Sequence, residues 1–332
     1  MTKRALLLVN VGTPDSPSKK DVRRFLRAFL NDRRVIDLPW LFRKILVNLI
    51  IIPFRIKKST TLYQRLWTRE GSPLLVYLNG LVDKLQQSLQ GRYQVYGAMR
   101  YGNPALKEVL SQIQFQGVEE ITVFPLYPQY ASSTTGSVVE EVFRIIGKWE
   151  VIPAIQVVNQ FYNHPAFLNA FVRQIASFKP ETFDHVIFSY HGLPMRQIDK
   201  THPSIAGRAC NCNREMPEHG TFCYRATCYE TTRQLIKILK LAPGKTTVSF
   251  QSRLSKNWLE PFTDEVIVNL AQKGVKRILI VAPAFVADCL ETIVEIEDYK
   301  MLFTKHGGGE LVLVPGLNDE SVWVQAVAEI IQ

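Results

Sequence analysis

Short runs of β-branched and other apolar residues, each closed by Gly, Pro or a polar side chain, recur in the same order in both halves of the chain. ALLLVNVGTP (5–14) answers to HVIFSYHGLP (185–194), YQVYGAMR (93–100) to TTVSFQSR (246–253), GVEEITVFPLY (117–127) to GVKRILIVAPAF (274–285) and WEVIPAI (149–155) to GELVLVPGL (309–317). Between them lie stretches with apolar residues at helical spacing, among them 75–89, 105–113 and 230–241. Short buried strands alternating with helices predict parallel sheets joined by crossover helices. Two copies of a four-strand unit therefore predict an α/β protein with two Rossmann-like doubly wound domains, each on a four-stranded parallel sheet. The expected domains are 1–160 and 161–318, with a last helix at about 319–331 that could cross back to the first.

The 332 residues are 46% apolar, 21% charged and 11% aromatic, which excludes disordered, collagen-like and coiled-coil classes. A formal charge of +10 favours acidic partners such as phosphates, carboxylated small molecules or an anionic membrane face. No apolar run reaches the roughly 18 residues of a spanning helix. The start, MTKRALLLVNVGTP, reads as a strand and not a signal peptide, so a cytoplasmic address is expected, where the five cysteines would not form disulfides. Neither a Walker loop nor G-x-G-x-x-G follows a strand, so no nucleotide cofactor is expected.

In open parallel sheets ligands bind beyond the carboxyl ends of the strands. Those ends offer Asn10, Arg100, Tyr101 and Tyr127 in the first half, and His191, Gln251–Arg253, Asp288 and Glu291 in the second. His191 emerges from VIFSY before Gly-Leu-Pro, where an imidazole can accept a proton or bind a metal. In AFVADCLETIVEIEDY (284–299), a continuous helix would set Asp288, Glu291, Glu295 and Asp298 within about 80° of one face. Such a stripe could carry a divalent cation or relay protons, or be a solvated surface face. Residues 41–69 hold seven basic residues and no acidic one around the apolar run ILVNLIIIPF (45–54). This is either an interfacial lip for anionic lipid or a buried helix with basic flanks. Cys210, Cys212, Cys223 and Cys228 have the spacing C-x-C-x10-C-x4-C. In a reducing compartment that points to an iron–sulfur cluster or tetrahedral zinc, with His219 as an alternative ligand.

NVGTP, PLYPQYASSTTGS (125–137), SYHGLP (189–194), FQSR (250–253), the run Trp258–Leu259…Pro261…Thr263–Asp264–Glu265 and ADCLET (287–292) resemble the ferrochelatase family over about residues 4–331. The resemblance implies insertion of ferrous iron into protoporphyrin IX, the last step of haem synthesis, in a porphyrin cleft. By it, His191 and Glu291 are the catalytic residues and hold the substrate iron, and Asp288 and Glu295 extend a path for protons or metal. Many members carry His where this chain has Cys289. Arg100, Tyr101, Tyr127 and Trp258 match cleft-lining positions, and Arg55, Tyr63 and Ser72 resemble porphyrin contacts. The four cysteines, in an insertion at 208–228, resemble those of members holding a [2Fe–2S] cluster. The 41–69 lip resembles that of protoporphyrin-type members, which implies peripheral association with an anionic membrane. No nucleic-acid partner is expected. A chelatase for another metal or macrocycle, and a non-enzymatic tetrapyrrole carrier, are the other readings.

Overall fold

The computed structural model describes residues 3–202, 206–242 and 244–332. The chain divides into two compact units, Met1–Gln160 with Asp319–Gln332, and Phe161–Asn318. In chain order the first contains β1 (Arg4–Gly12), α1 (Lys19–Leu30), α2 (Trp40–Ile45), α3 (Ile52–Leu66), α4 (Pro73–Ser88), β2 (Gln94–Tyr101), α5 (Leu106–Phe115), β3 (Glu120–Pro125), α6 (Ser137–Ile146) and β4 (Ala154–Val157). The second contains α7 (Pro165–Ala176), β5 (His185–His191), α8 (Met195–Asp199), α9 (Tyr224–Leu239), β6 (Thr246–Gln251), α10 (Thr263–Gln272), β7 (Arg277–Val281), α11 (Leu290–Lys305) and β8 (Glu310–Leu313). The final helix, α12 (Ser321–Ile330), returns to the first unit.

Each unit has one four-stranded sheet, ordered β2-β1-β3-β4 and β6-β5-β7-β8, with every pairing parallel. The doubly wound fold read from the repeated apolar runs is thus the observed one. Strands covered on both faces must be apolar throughout, and Ala5–Val9 of β1 are wholly buried. One core packs Leu7 and Val9 against Leu110 and Ile113 of α5 and Val138 and Val142 of α6; its counterpart packs Ile187 and Ile280 against Ile267 of α10 and Phe303 of α11. In the first unit α12 lies on α4: buried Trp323 meets Phe124 edge-on, and Lys84 pairs with Asp319 at 2.6 Å. The fourth strand of that unit starts at Ala154 rather than within 149–153, where Pro153 withholds a ladder donor and Val151 and Ile152 are exposed.

The glycines at the end of the first strand of each repeat do the same job. Gly12 pairs with Tyr101, and a Cβ there would lie 1.7 Å from the Tyr101 carbonyl oxygen, at a φ of +117°. Gly192 donates to the Gln251 carbonyl at 2.8 Å, and a Cβ would stand 2.9 Å from it. In both units the backbone must pass close over the end of the neighbouring strand.

The run 45–54 is not a buried helix. Val47 and Ile52 pack inward against α1, whereas Trp40 (65% exposed), Phe42 (66%), Leu49 (69%) and Phe54 (82%) face out. Leu38, Pro39, Phe42, Ile45, Leu46 and Ile50 line an apolar groove of about 530 Å³ beside them. Arg43 is turned inward and donates to the Leu38 carbonyl at 2.7 Å, so it is not one of the outward cations. Among the described residues no helix is long and apolar enough to cross a membrane.

Candidate active site

The carboxyl end of β5 carries His191, half-buried. Its Nδ1 lies 2.6 Å from the Gly192 carbonyl oxygen, which can only accept, so Nδ1 carries the proton and Nε2 keeps its lone pair. Leu193 and Leu259 pair through their backbones, and Pro194 bridges Trp258, which brings the Trp258 ring to 6.3 Å from the imidazole. Phe285, from the turn after β7, stands 6.4 Å away. Gly192 permits this: a Cβ would meet Trp258 at 3.3 Å. From behind, the Tyr224 hydroxyl donates to the His191 carbonyl at 3.0 Å.

Gln251 pairs with His191 across the β5–β6 ladder. Its Oε1 accepts from Ser189 at 2.6 Å, which turns Nε2 toward the Glu291 carbonyl (2.9 Å) and the Glu295 carboxylate (3.3 Å). One amide thus ties the histidine strand to the acidic helix. Glu291 and Glu295 sit one turn apart on α11. Glu295 is held by four donors: Ser252 through both its N–H (2.9 Å) and its hydroxyl (2.6 Å), Tyr299 (2.6 Å) and Gln251. Ser252 reaches it from a left-handed backbone, φ +63°.

The expected acidic stripe is shorter than the helical phase suggested. Helix α11 begins at Leu290, so Asp288 precedes it and leaves the Glu291–Glu295 face. The Asp288 carboxylate accepts instead from Thr292 (2.9 Å), Gly316 N–H (3.1 Å) and Asn318 (2.8 Å), anchoring the start of α11 to the β8–α12 connection. Cys289 is the N-cap, in a reciprocal capping box with Thr292. Burial pushes its thiol well up, and the adjacent Glu291 charge and its bond to that carboxylate push it further, so it stays a neutral donor.

In the first unit the strand ends are closed. Arg100 donates to Ser137 Oγ (2.8 Å) and to Asp32 (2.8 Å); Tyr101, 4% exposed, and Ser137 donate to the same Asp32 oxygen at 2.7 and 2.6 Å. Burial alone would raise the Asp32 carboxyl, but the Ser137 and Tyr101 bonds outweigh it and hold it below its ordinary value. Arg100 is therefore spent inside its own unit. Tyr127 is half-buried and packs on the core beneath. Ser72 is buried and accepts from Thr13 at 2.8 Å, Tyr63 meets Phe25 edge-on at 6.0 Å, and Arg55 is exposed on α3. Arg100 and Tyr101 are close enough to Tyr127 to act on its charge; Tyr63 reaches Tyr101 through the rings of Phe25 and Phe29, and Ser72 is tied to Thr13, whose carbonyl passes beside Gly102.

All four cysteines of the insertion are buried and joined by no disulfide. Cys223 caps α9, where the Cys212 thiol and the Ala226 N–H (3.4 Å) donate to its sulfur and lower its pKa. Cys210 meets His219 Nε2 at 3.5 Å, and His202, Cys210 and His219 bring their donor atoms within 4.8 Å of one another. Burial pushes Cys228 well up against the lowering effect of a bond from Tyr224, and the charge of Cys223 acts in the same direction as burial. Buried neighbouring thiols and an imidazole nitrogen without a partner suit a thiophilic metal group.

Tyr224, Phe285 and Tyr299 were not singled out in the sequence. Only Tyr224 carried a signal, its place between Cys223 and Cys228.

Solved structures give the class first. SirB from Bacillus subtilis with Fe3+ covers 99% of this chain and 94% of its own at a TM-score of 0.54 and 13% identity. Sirohydrochlorin chelatase SirB from Bacillus subtilis subspecies spizizenii, in complex with cobalt, gives 0.51 at 12% identity over the same shares of the two chains. At such identities the likeness concerns the fold alone, and that fold is chelatase-like. Sequence relatives are nearer: a ferrochelatase of Legionella pneumophila (strain Paris) is 41% identical over 99% of this chain and 98% of its own, and one of Pseudomonas fluorescens biotype C is 42% identical over 98% and 97%. The ferrochelatase family model matches residues 3–332, and the chain belongs to the ferrochelatase family. It is a metal chelatase.

Proposed function

We propose that this enzyme inserts Fe2+ into protoporphyrin IX, giving protohaem and two protons. The observation that carries the mechanism is the fixed tautomer of His191, which leaves the Nε2 lone pair available on a ring flanked at about 6 Å by Trp258 and Phe285. Metal insertion exchanges two pyrrole N–H protons for one cation, so a base must stand beside the macrocycle. An imidazole suits that near neutral pH. His191 takes the two pyrrole protons in turn and passes each to solvent, and the Glu291 carboxylate supplies a hard oxygen donor to the arriving iron. Aromatic walls favour a macrocycle bent toward the metal, which exposes its nitrogen lone pairs. Asp288 and Glu295 act as supports: one fixes the start of α11 and the other holds Ser252 and Tyr299. Arg55, Tyr63, Ser72, Arg100, Tyr101 and Tyr127 are the proposed porphyrin side of the first unit, where Arg55 is the exposed cation for a propionate.

The outward apolar row from Trp40 to Phe54, with exposed Arg55, Lys57 and Lys58, supports peripheral attachment to an anionic membrane from the cytoplasm, and with it the choice of protoporphyrin. Cys210, Cys212, Cys223 and Cys228 are the proposed holders of a [2Fe–2S] cluster, the cluster type following from family resemblance. Such a cluster supplies one-electron redox chemistry, which insertion of iron without net oxidation does not use.

Anaerobic incubation with ferrous iron and protoporphyrin IX tests the reading. Catalytic haem formation supports it; tight porphyrin binding without turnover would direct the assignment to another metal or macrocycle.

A further inference from the structure

The Gln251 amide has a fixed direction. Its Nε2 faces the Glu291 carbonyl and the Glu295 carboxylate, which can only accept, so Oε1 is left to take the Ser189 hydroxyl proton. With that proton committed, Thr263 must donate to Ser189 (3.1 Å), and Ser249 must donate to Thr263 (2.9 Å). Hydrogen bonds therefore run one way, from Ser249 through Thr263, Ser189 and Gln251 to α11. Ser189, Ser249 and Thr263 are wholly buried, and Gln251 is 1% exposed. In such surroundings each bond strengthens its neighbours, and a broken link strands a buried polar group.

The chain of bonds ends on α11 at two points one turn apart, the carbonyl of Glu291 in the first turn and the carboxylate of Glu295. Residues four apart lie on one face of a helix, so this grip fixes both the position of α11 and its rotation about its axis. Ser252 adds two bonds to Glu295 from a left-handed backbone, which a non-glycine residue keeps only where its surroundings impose it. At its other end Gln251 is tied to the histidine: it pairs with His191 across the ladder, and its carbonyl accepts from the Gly192 N–H at 2.8 Å. We infer that Gln251 is a positioning residue, which sets where α11 presents Glu291 relative to His191. The inference rests on the reading of His191 as the base and Glu291 as the oxygen donor to iron. An amide offers an acceptor and a donor on one rigid plane. The thioether of Met fills a similar volume without a donor, and a carboxylate would set a like charge against Glu295.

The test is steady-state haem formation by the full-length protein, with ferrous iron and protoporphyrin IX varied separately and rates expressed per folded molecule from a thermal melt of each sample. Gln251→Met should lower kcat about 10–100-fold, the usual effect of losing a partner behind a metal-binding group. The Fe2+ KM should rise while the porphyrin KM stays where it is. Gln251→Glu keeps the shape of the side chain and should do no better. Should neither variant fold, Ser189→Ala keeps the test: it removes the donor that fixes the amide, and should lower kcat about two- to tenfold with the same split between the two KM values. Parent-like kcat and Fe2+ KM in the variants that fold would overturn the inference. A loss shared by both KM values would overturn it too, since general loosening of the site affects both substrates. In either event, parent turnover that His191→Ala abolishes would leave the proposed function standing, whereas absence of haem formation by the parent would overturn both.

Discussion

The ends of the two parallel sheets differ where their topology does not. In the first unit, Gly12 lies over the carbonyl of Tyr101, and Arg100 is bound into Asp32 and Ser137. In the second, Gly192 lies over the carbonyl of Gln251, and Arg253, the counterpart of Arg100, pairs with Asp264 (2.7 Å) and Glu265 (2.8 Å). Both guanidinium groups serve their own unit. The position before the glycine separates the halves: Val11 in one, His191 in the other. A repeated backbone thus supplies two equivalent strand ends, of which one is closed by an ion-pair network and the other presents a base with a free lone pair. The duplication fixes where a side chain can stand; the chemistry follows from which residue stands there.

The largest effect that would test this contrast is at His191. His191→Ala should lower haem formation by about 10²–10⁴-fold, the usual worth of a positioned base, with the thermal midpoint held. Normal turnover in that variant would remove the distinction between the two strand ends.

At the matching end of the first unit the expected damage is to stability. Asp32→Ala leaves Arg100 and Tyr101 buried without their partner, and should cost about 3–5 kcal/mol in chemical denaturation. The sign with pH follows from the lowered Asp32 carboxyl. Its contribution is complete above the ordinary value of 3.8 and is lost as pH falls through the lower folded value. Asp32→Asn should therefore flatten the acid limb of the stability curve. Loss of turnover at full stability in Asp32→Ala would instead give this end a part in the chemistry.

A smaller effect concerns a surface found only in the first unit. Phe54→Ser removes a ring that is 82% exposed, so stability should stay within about 0.5 kcal/mol. Binding to vesicles of anionic phospholipid should weaken, by up to the roughly 1.5–3 kcal/mol of burying such a side chain, and added salt should weaken it further. Unchanged vesicle binding would leave the exposed row without a lipid role.

The fold was legible because parallel strands covered on both faces must be apolar from end to end, and the run ALLLV or VIF then recurs visibly with its glycine. His191 was legible for the same reason, standing where such a run stops. Asp288 was misplaced because a periodicity argument assumes an unbroken helix, whereas Cys289 and Thr292 start one inside ADCLET. The closure of Arg100 depends on Asp32, 68 residues earlier, and no local pattern announces that contact. Tyr224 lies beside a cysteine motif, yet its partner is a backbone carbonyl 33 residues away.

That bond allows the finest test of the contrast. Helix α9 carries Cys223 at its cap and Cys228 one turn on, and it holds β5 twice, through Tyr224 to the His191 carbonyl (3.0 Å) and through Thr232 to Tyr190 (2.8 Å). Tyr224→Phe keeps the ring and removes the hydroxyl's bonds to the His191 carbonyl and to the Cys228 sulfur, each worth about 0.5–1.5 kcal/mol. If Tyr224 positions His191, kcat should fall about two- to tenfold with the porphyrin KM unchanged, and the pH profile of turnover should move, since the imidazole is no longer held at one orientation. A uniform loss of stability with an unmoved pH profile would make Tyr224 a packing residue only.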